Sequence, residues 1–214
     1  MMHSSGATNL YIIGFMGVGK SVVGRNVSST LGMHFIDSDK VIEDSARMTI
    51  PSIFEKFGEG EFRKMEREFI ENGHPAHGCV VSCGGGLPIA PGMRELLLSK
   101  GVVICLFASE NTIIARTSSN NKRPLLAVED RVQKVRELMA KRMPVYMNTG
   151  IGISTENRSL SEITHHVIHV YQSESKRFAA KTEARESGNT ADSVDYTAKT
   201  GNLTDDPFLG KPAS

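Results

Sequence analysis

One segment near the start of the chain matches the pattern G-x-x-x-x-G-K-[ST]. It reads Gly14-Phe15-Met16-Gly17-Val18-Gly19-Lys20-Ser21. In such a loop the glycines let the backbone turn, so that successive N–H groups and the start of the next helix face phosphate oxygens. We expect Lys20 to reach the β- and γ-phosphates of a nucleotide and the Ser21 hydroxyl to ligate Mg²⁺. A glycine-rich turn with an exposed lysine is the alternative, but the apolar run before the motif and the helical pattern after it favour a nucleotide site.

Two further comparisons narrow the class of nucleotide-binding protein. A GTPase would show N-K-x-D, whereas the nearest match, Asn121-Lys122-Arg123-Pro124, lacks the aspartate. An ATP-driven motor would show an apolar strand that ends in acidic residues. Here the apolar run at residues 79–83 continues into Gly84-Gly85-Gly86 instead. The pattern therefore indicates a kinase that acts on a small molecule.

Two carboxylates stand at the end of the second predicted strand, in Phe35-Ile36-Asp37-Ser38-Asp39. In a parallel sheet this strand end lies near the phosphate-binding loop. Asp37 could hold Mg²⁺ through its water shell, and Asp39 could accept the proton of an attacking hydroxyl. Alternatively, Asp39 only caps the helix that follows.

Two arginines lie on predicted helices with apolar faces. Arg63 precedes Glu66 by one helical turn, so the glutamate can orient the guanidinium. Arg142 lies on a largely apolar flank, four residues before Tyr146. A guanidinium binds a carboxylate with two parallel hydrogen bonds, and we interpret both arginines as carboxylate ligands. An intramolecular salt bridge is the alternative for each of them.

A short, polar and basic segment, residues 117–130, separates two of the predicted helices and contains Arg123. Its low apolar content is typical of a mobile cover over bound phosphates. Arg123 is the candidate for stabilising charge in the transition state, and a solvated basic loop is the alternative. His165, His166 and His169 have metal-ligand spacing, but the apolar positions of their helix turn His165 and His169 towards solvent.

Short β-rich runs alternate with amphipathic helices between residues 9 and 171, which predicts an α/β fold with a parallel sheet. The predicted strands are Leu10–Ile13, Met33–Ile36, Cys79–Ser82, Val102–Phe107 and Ile151–Ser154. We predict one domain over residues 1–173. Residues 174–214 contain few large apolar side chains, so we predict a disordered tail there.

The composition argues against nucleic-acid and membrane partners and indicates the cellular compartment. The chain has 214 residues and a formal net charge of +1, so no global attraction to nucleic acid or to a membrane surface is expected. The apolar stretch from residue 10 to 18 is about half of what a membrane span needs. Three cysteines in apolar surroundings suit a reducing compartment, and we expect a cytoplasmic protein.

The motifs occur together in an order that resembles the shikimate kinase family over residues 8–172. They are the glycine-rich loop, Phe-x-Asp-x-Asp, Phe57-Gly58-Glu59 followed by Phe62-Arg63 and Glu66, Gly84-Gly85-Gly86, Arg123-Pro124-Leu125-Leu126, and Arg142 before Tyr146. The resemblance implies a three-layer P-loop kinase fold, with a five-stranded parallel sheet of order 2-3-1-4-5, flanking helices and a short lid. It implies transfer of the ATP γ-phosphoryl group to the 3-hydroxyl of shikimate, and we expect a monomer.

The resemblance also implies roles for individual residues. Asp39, Lys20 and Arg123 would be catalytic, and Ser21 and Asp37 would hold the metal. ATP would be bound by Gly17, Val18, Gly19, Lys20, Ser21, Val22, Arg123 and Arg158, the last beside Asn157 in the loop after the last strand. Shikimate would be bound by Asp39, Arg63, Gly84, Gly85, Gly86 and Arg142.

Two rival functions remain. One is a kinase of the same fold for another alcohol, such as gluconate, against which the paired arginines and the Phe-x-Asp-x-Asp motif argue. The other is a regulatory protein that binds a nucleotide without catalysis, against which Lys20, Asp39 and Arg123 argue.

Overall fold

The structure, a computed structural model, describes residues 6–117 and 130–186. These residues form five strands and seven α-helices. They are β1 (Asn9–Gly14), α1 (Lys20–Leu31), β2 (His34–Asp37), α2 (Ser38–Ala46), α3 (Ile50–Asn72), β3 (Cys79–Ser82), α4 (Met93–Lys100), β4 (Gly101–Phe107), α5 (Glu110–Thr117), α6 (Arg131–Thr149), β5 (Ile151–Ser154) and α7 (Leu160–Glu186), with a 3-10 turn at Leu87–Ile89 before α4.

The sheet is parallel throughout and has the order β2-β3-β1-β4-β5. All five predicted strands and their predicted order are confirmed. Strand β1 is central, and every one of its residues is buried. Because all the strands run the same way, the residues that follow β1, β2 and β3 meet at one edge of the sheet. That edge receives the glycine-rich loop, the two aspartates and the glycine triplet.

Helices cover the sheet, as predicted for this class of fold. Helices α1 and α7 pack against each other and on the strands, while α4 and α6 pack on β4. The core contains apolar side chains from β1, β3, β4 and β5, while Ile36 of β2 is half-buried against it. The three cysteines, Cys79, Cys83 and Cys105, are also buried there, and none of them is in a disulfide. In the described part of the chain, no helix is long and apolar enough to cross a membrane.

Helix α3 contains a kink that separates its first turns from the part that bears Arg63. The kink lies at Gly58, whose φ of 80° and ψ of 170° are not helical. A positive φ of this kind suits glycine, which has no Cβ to collide with the backbone. The helix begins after Thr49, whose hydroxyl accepts a hydrogen bond from the Ser52 N–H. After the kink, α3 bears Arg63 and Glu66, which contact the glycine triplet that follows β3.

The structure differs from the predicted tail over residues 174–186, which continue α7 to Glu186. Most of these residues are exposed, and Phe178 is half-buried. The composition rule behind the prediction asks only whether a segment can bury apolar surface. Alanine, lysine, arginine and glutamate are strong helix formers even in solvent, and Arg177 pairs with Glu174 one turn earlier at 2.6 Å. The domain boundary at residue 173 stays a prediction, and residues 187–214 lie outside the described residues.

Candidate active site

The glycine-rich loop forms the turn that the sequence predicts between β1 and α1. Gly14, Gly17 and Gly19 all have positive φ, and Gly19 is the N-terminal cap of α1. The Lys20 ammonium lies over this loop, where it donates to the carbonyl oxygens of Gly14 at 2.9 Å and Phe15 at 3.0 Å. The loop, the first turn of α1 and Lys20 thus concentrate positive charge at one point of a chain that is nearly neutral overall.

Three oxygen-bearing side chains meet beside this loop. The Ser21 hydroxyl donates to Asp37 Oδ2 at 2.8 Å and lies 3.1 Å from the hydroxyl oxygen of Ser82. Hard cations such as Mg²⁺ prefer oxygen ligands of this kind. The structure therefore brings the two predicted metal ligands, Ser21 and Asp37, together. The structure also brings Ser82 to this group, which the sequence analysis missed. The position of Ser82 at the carboxyl end of a predicted strand could have marked it as a candidate.

Asp39 faces a cavity of about 230 Å³ that is also lined by Lys20, Ser21 and Gly84. The cap residue of α2 is Asp37, so Asp39 lies inside the first turn, and the alternative that Asp39 is the cap is wrong. A Cβ on Gly84 would overlap the carboxylate of Asp39. The triplet thus lies directly against the candidate base, and a side chain at this position would displace the Asp39 carboxylate.

Arg63 is held by two glutamates from its own helix. Its guanidinium pairs with Glu66 at 2.5 Å and with Glu59 at 2.7 Å. The guanidinium also packs directly against Gly86, where a Cβ would collide with it. Both interpretations of Arg63 therefore have support, because it forms intramolecular ion pairs and also forms part of the wall made by the glycine triplet.

Glu66 is an unusual partner, because only 1% of its surface is exposed. Burial raises its pKa from the usual 4.5 to about 7, against the opposing attraction of Arg63. The negative charge of Asp39 raises the pKa of Glu66 further, while the positive charge of Arg142 lowers it. Glu66 therefore interacts electrostatically with three charged site residues, namely Asp39, Arg63 and Arg142.

Arg142 is buried on α6, with 8% of its surface exposed, one turn before Tyr146. The Tyr146 hydroxyl donates to the carbonyl oxygen of Gly85 and lies near the Arg142 guanidinium. Burial raises the pKa of Tyr146 to about 12, so this hydroxyl keeps its proton at neutral pH. The sequence analysis named Tyr146 only to mark the place of Arg142 on its helix.

Helix α5 contacts both the phosphate loop and the loop that follows β5. Gly17 lies in close contact with Thr117 at the end of α5, where a Cβ on the glycine would come within 2.9 Å of the threonine methyl group. Next to it, the Arg116 guanidinium donates to the side-chain and backbone oxygens of Thr155 at 3.0 and 3.1 Å. The sequence analysis missed Arg116, which no motif marks.

The structure does not bring the predicted nucleotide ligand Arg158 into this arrangement. Arg158 is exposed, and its guanidinium lies 2.9 Å from Nδ1 of His166 on α7. Arg123 lies outside the described residues.

His165 and His169 are exposed, as predicted from the apolar face of their helix. Among the residues that the structure describes, no group of three or more histidine, cysteine, aspartate or glutamate side chains could hold a metal ion.

The family model described as shikimate kinase matches residues 16–172 of the chain. The chain belongs to the shikimate kinase family. A shikimate kinase of Thermodesulfovibrio yellowstonii is 41% identical over 164 residues, which cover 77% of this chain and 95% of that protein. A shikimate kinase of Thermus thermophilus is 39% identical over 163 residues, which cover 76% of this chain and 89% of that protein.

Solved structures agree with this membership. The shikimate kinase from Acinetobacter baumannii in complex with shikimate is similar with a TM-score of 0.74 and 34% identity, covering 78% of this chain and 94% of that one. A gluconokinase from Sinorhizobium meliloti has a TM-score of 0.56 at 15% identity, covering 84% of this chain and 99% of that one. The second likeness shows the shared P-loop kinase fold alone. The fold therefore does not separate shikimate kinases from gluconate kinases, and the acceptor site must do so.

Proposed function

We propose that this chain transfers the γ-phosphoryl group of ATP to the 3-hydroxyl of shikimate. The observation that carries the proposal is the meeting of Asp39, the glycine triplet and two buried or half-buried arginines beside the phosphate loop. A carboxylate-binding pair next to a candidate base matches an acceptor that has both a carboxylate and hydroxyl groups.

Arg63 and Arg142 are proposed to bind the carboxylate of the acceptor. Arg63 is pre-oriented by Glu66 and Glu59, which leaves less rotational freedom to lose on binding. Arg142 reaches the same cluster from α6, through its coupling to Glu66 and Tyr146. Hydrogen bonds between guanidinium and carboxylate groups are among the stronger ones in proteins, so two arginines can select an acid over a neutral alcohol.

Asp39 is proposed to hold the acceptor hydroxyl and to accept its proton as the phosphoryl group is transferred. Its carboxylate lies against Gly84 on one side and shares the cavity of Lys20 and Ser21 on the other. Gly84, Gly85 and Gly86 would present backbone groups to the acceptor ring. A carboxylate acting as general base contributes roughly 10²–10⁴-fold to the rate of such reactions.

On the donor side, Gly17, Val18, Gly19, Lys20, Ser21 and Val22 are proposed to surround the phosphates of ATP. Ser21 and Asp37 would hold Mg²⁺, and their hydrogen bond, with Ser82 nearby, supports a site for a hard cation. Bound Mg²⁺ supplies positive charge that neutralises the transferring phosphoryl group. Arg123 and Arg158 are proposed to contact ATP from the lid and from the loop after β5.

The chain is also proposed to act as a monomer in the cytoplasm, without a nucleic-acid or membrane partner. Its three thiols are buried and not in disulfides, which suits a reducing compartment. Its net charge of +1 gives no general attraction to polyanions.

The deciding experiment is a coupled assay of ADP release with MgATP and a panel of acceptors. We expect turnover to require shikimate, with gluconate and nucleoside monophosphates as poor acceptors. Equal turnover with gluconate would favour the other alcohol kinase. Tight ATP binding without turnover on any acceptor would favour the regulatory protein. Asp39→Asn serves as the control, because it should retain ATP binding and lose most of the shikimate-dependent ADP release.

A further inference from the structure

The glycine triplet is held by two side chains that come from distant parts of the chain. The Ser38 hydroxyl oxygen accepts a hydrogen bond from the Gly84 N–H at 2.8 Å. The Tyr146 hydroxyl donates to the carbonyl oxygen of Gly85. Ser38 and Tyr146 are both fully buried, so neither bond competes with bulk water. A backbone of three glycines is intrinsically flexible, and these two anchors remove that freedom.

The bond from Tyr146 sets the direction of the peptide group between Gly85 and Gly86. In a planar trans peptide the C=O and the following N–H point in opposite directions. Because the Gly85 carbonyl points at Tyr146, the Gly86 N–H points away from it. Gly86 is also the glycine that packs against the Arg63 guanidinium. Rotation of this peptide would therefore disturb both a backbone donor and the packing of an acceptor arginine.

Gly85 also lies next to the phosphate loop. A Cβ at Gly85 would be 3.8 Å from the Gly14 carbonyl oxygen, 3.9 Å from the Met16 nitrogen and 3.9 Å from the Tyr146 hydroxyl oxygen. The tyrosine and the phosphate loop thus bracket this glycine. A displacement of Gly85 would therefore change the separation between the acceptor wall and the phosphate loop, and the hydrogen bond from Tyr146 opposes such a displacement.

We propose that Tyr146 is a positioning residue for the acceptor, because its hydroxyl group fixes the Gly85 peptide between the phosphate loop and the Arg63 guanidinium. Ser38 is the second anchor of the triplet. The proposal rests on the proposed function, since the acceptor that it positions is shikimate. Tyr146 itself does not touch the reacting atoms in this scheme. It acts through the glycine backbone, which packs against the Arg63 guanidinium at Gly86.

The test compares Tyr146→Phe with a matched control, Tyr171→Phe. Tyr171 is also buried, and its hydroxyl also donates to a backbone carbonyl, that of Thr8 at 2.7 Å before β1 begins. Each variant loses one hydroxyl group and one tyrosine-to-backbone hydrogen bond. Thermal midpoints of the two variants should therefore fall by similar amounts. Steady-state kinetics with shikimate and with ATP as the varied substrate then separate positioning from stability.

We expect Tyr146→Phe to raise the KM for shikimate about three- to tenfold, the range for loss of one uncharged hydrogen bond. Its KM for ATP should change less than about twofold, and kcat should fall less than kcat/KM, because the phosphate loop is intact. Tyr171→Phe should leave both KM values at the wild-type level. Ser38→Ala should reproduce the selective effect on shikimate from the other end of the triplet.

Three results would overturn the proposal. They are an unchanged shikimate KM in Tyr146→Phe, equal changes in the KM values for shikimate and ATP, and an equally large shikimate effect in Tyr171→Phe. Wild-type turnover distinguishes this failure from failure of the proposed function. Absence of shikimate-dependent ADP release in the wild type rejects both proposals, whereas normal wild-type turnover with an unaffected Tyr146→Phe rejects only the positioning role.

Discussion

The buried carboxyl group of Glu66 should make the free energy of unfolding fall as the pH rises. Burial raises the pKa of Glu66 from 4.5 to about 7 in the folded protein. The folded state therefore holds this proton more tightly than the unfolded chain does. Glu66 contributes its full stability below pH 4.5 and loses it as the pH rises through 7. At about 1.4 kcal/mol per pKa unit, the loss amounts to about 3 kcal/mol.

The perturbation is Glu66→Gln, which keeps the shape of the side chain but cannot ionise. Denaturant unfolding of the two proteins at a series of pH values gives the difference in their free energies of unfolding. The wild type should lose about 3 kcal/mol relative to the variant between pH 4.5 and 8. Comparison with the variant cancels the contributions of all other titrating groups that the two proteins share.

Glu59→Gln is the matched control, because Glu59 also pairs with Arg63 but 65% of its side chain is exposed. An exposed ion pair is worth about 0–1 kcal/mol, so this variant should track the wild type closely at every pH. A flat difference for Glu66→Gln would refute the reasoning. A wild type that gains stability relative to the variant as pH rises would mean that the attraction of Arg63 outweighs burial.

Three other predictions concern the site and the end of α7. Asp39→Asn should fold and bind ATP normally but lose about 10²–10⁴ in kcat by steady-state assay; near wild-type turnover would deny it the role of base. Arg63→Ala and Arg142→Ala should each weaken shikimate binding at least about tenfold by calorimetry, with non-additive effects in the double variant and little change for ATP. If either arginine instead affects ATP binding or stability alone, its assignment to the acceptor is wrong. Removal of residues 174–214 should leave activity and the thermal midpoint nearly unchanged, since the described part of this segment is mostly exposed. A drop of several degrees in calorimetry would show that it docks.

The sequence predicts most of the fold because its signals are local. Each strand is a short apolar run with turn residues after it, and the loop glycines with positive φ stand where the nucleotide pattern requires them. The sheet order needed more than local signals and came from the family resemblance. The end of α7 was missed because burial was used as the criterion, whereas residues such as Ala179 and Lys181 form helix by intrinsic preference.

The candidate site was predictable in its charged residues but not in the contacts that hold them. Arg63 and Glu66 are close in the chain, so helical spacing shows their contact in advance. Ser38 and Gly84, or Tyr146 and Gly85, are far apart in the chain, and no spacing rule links them. Their contacts exist because β2, β3 and α6 end or pass at the same edge of the sheet. Only the folded structure can show such pairs.

The three buried cysteines make local unfolding of the sheet measurable by thiol alkylation. Their surfaces are 0–1% exposed, burial raises the pKa of Cys105 to about 12, and it raises that of Cys83 as well. A thiol reagent needs an accessible thiolate, so alkylation proceeds only from conformations in which the sheet has opened. Cys79 and Cys83 report on β3 and its end, and Cys105 reports on β4, on either side of the central strand. The relative alkylation rates of the three thiols therefore show which half of the sheet unfolds locally more often.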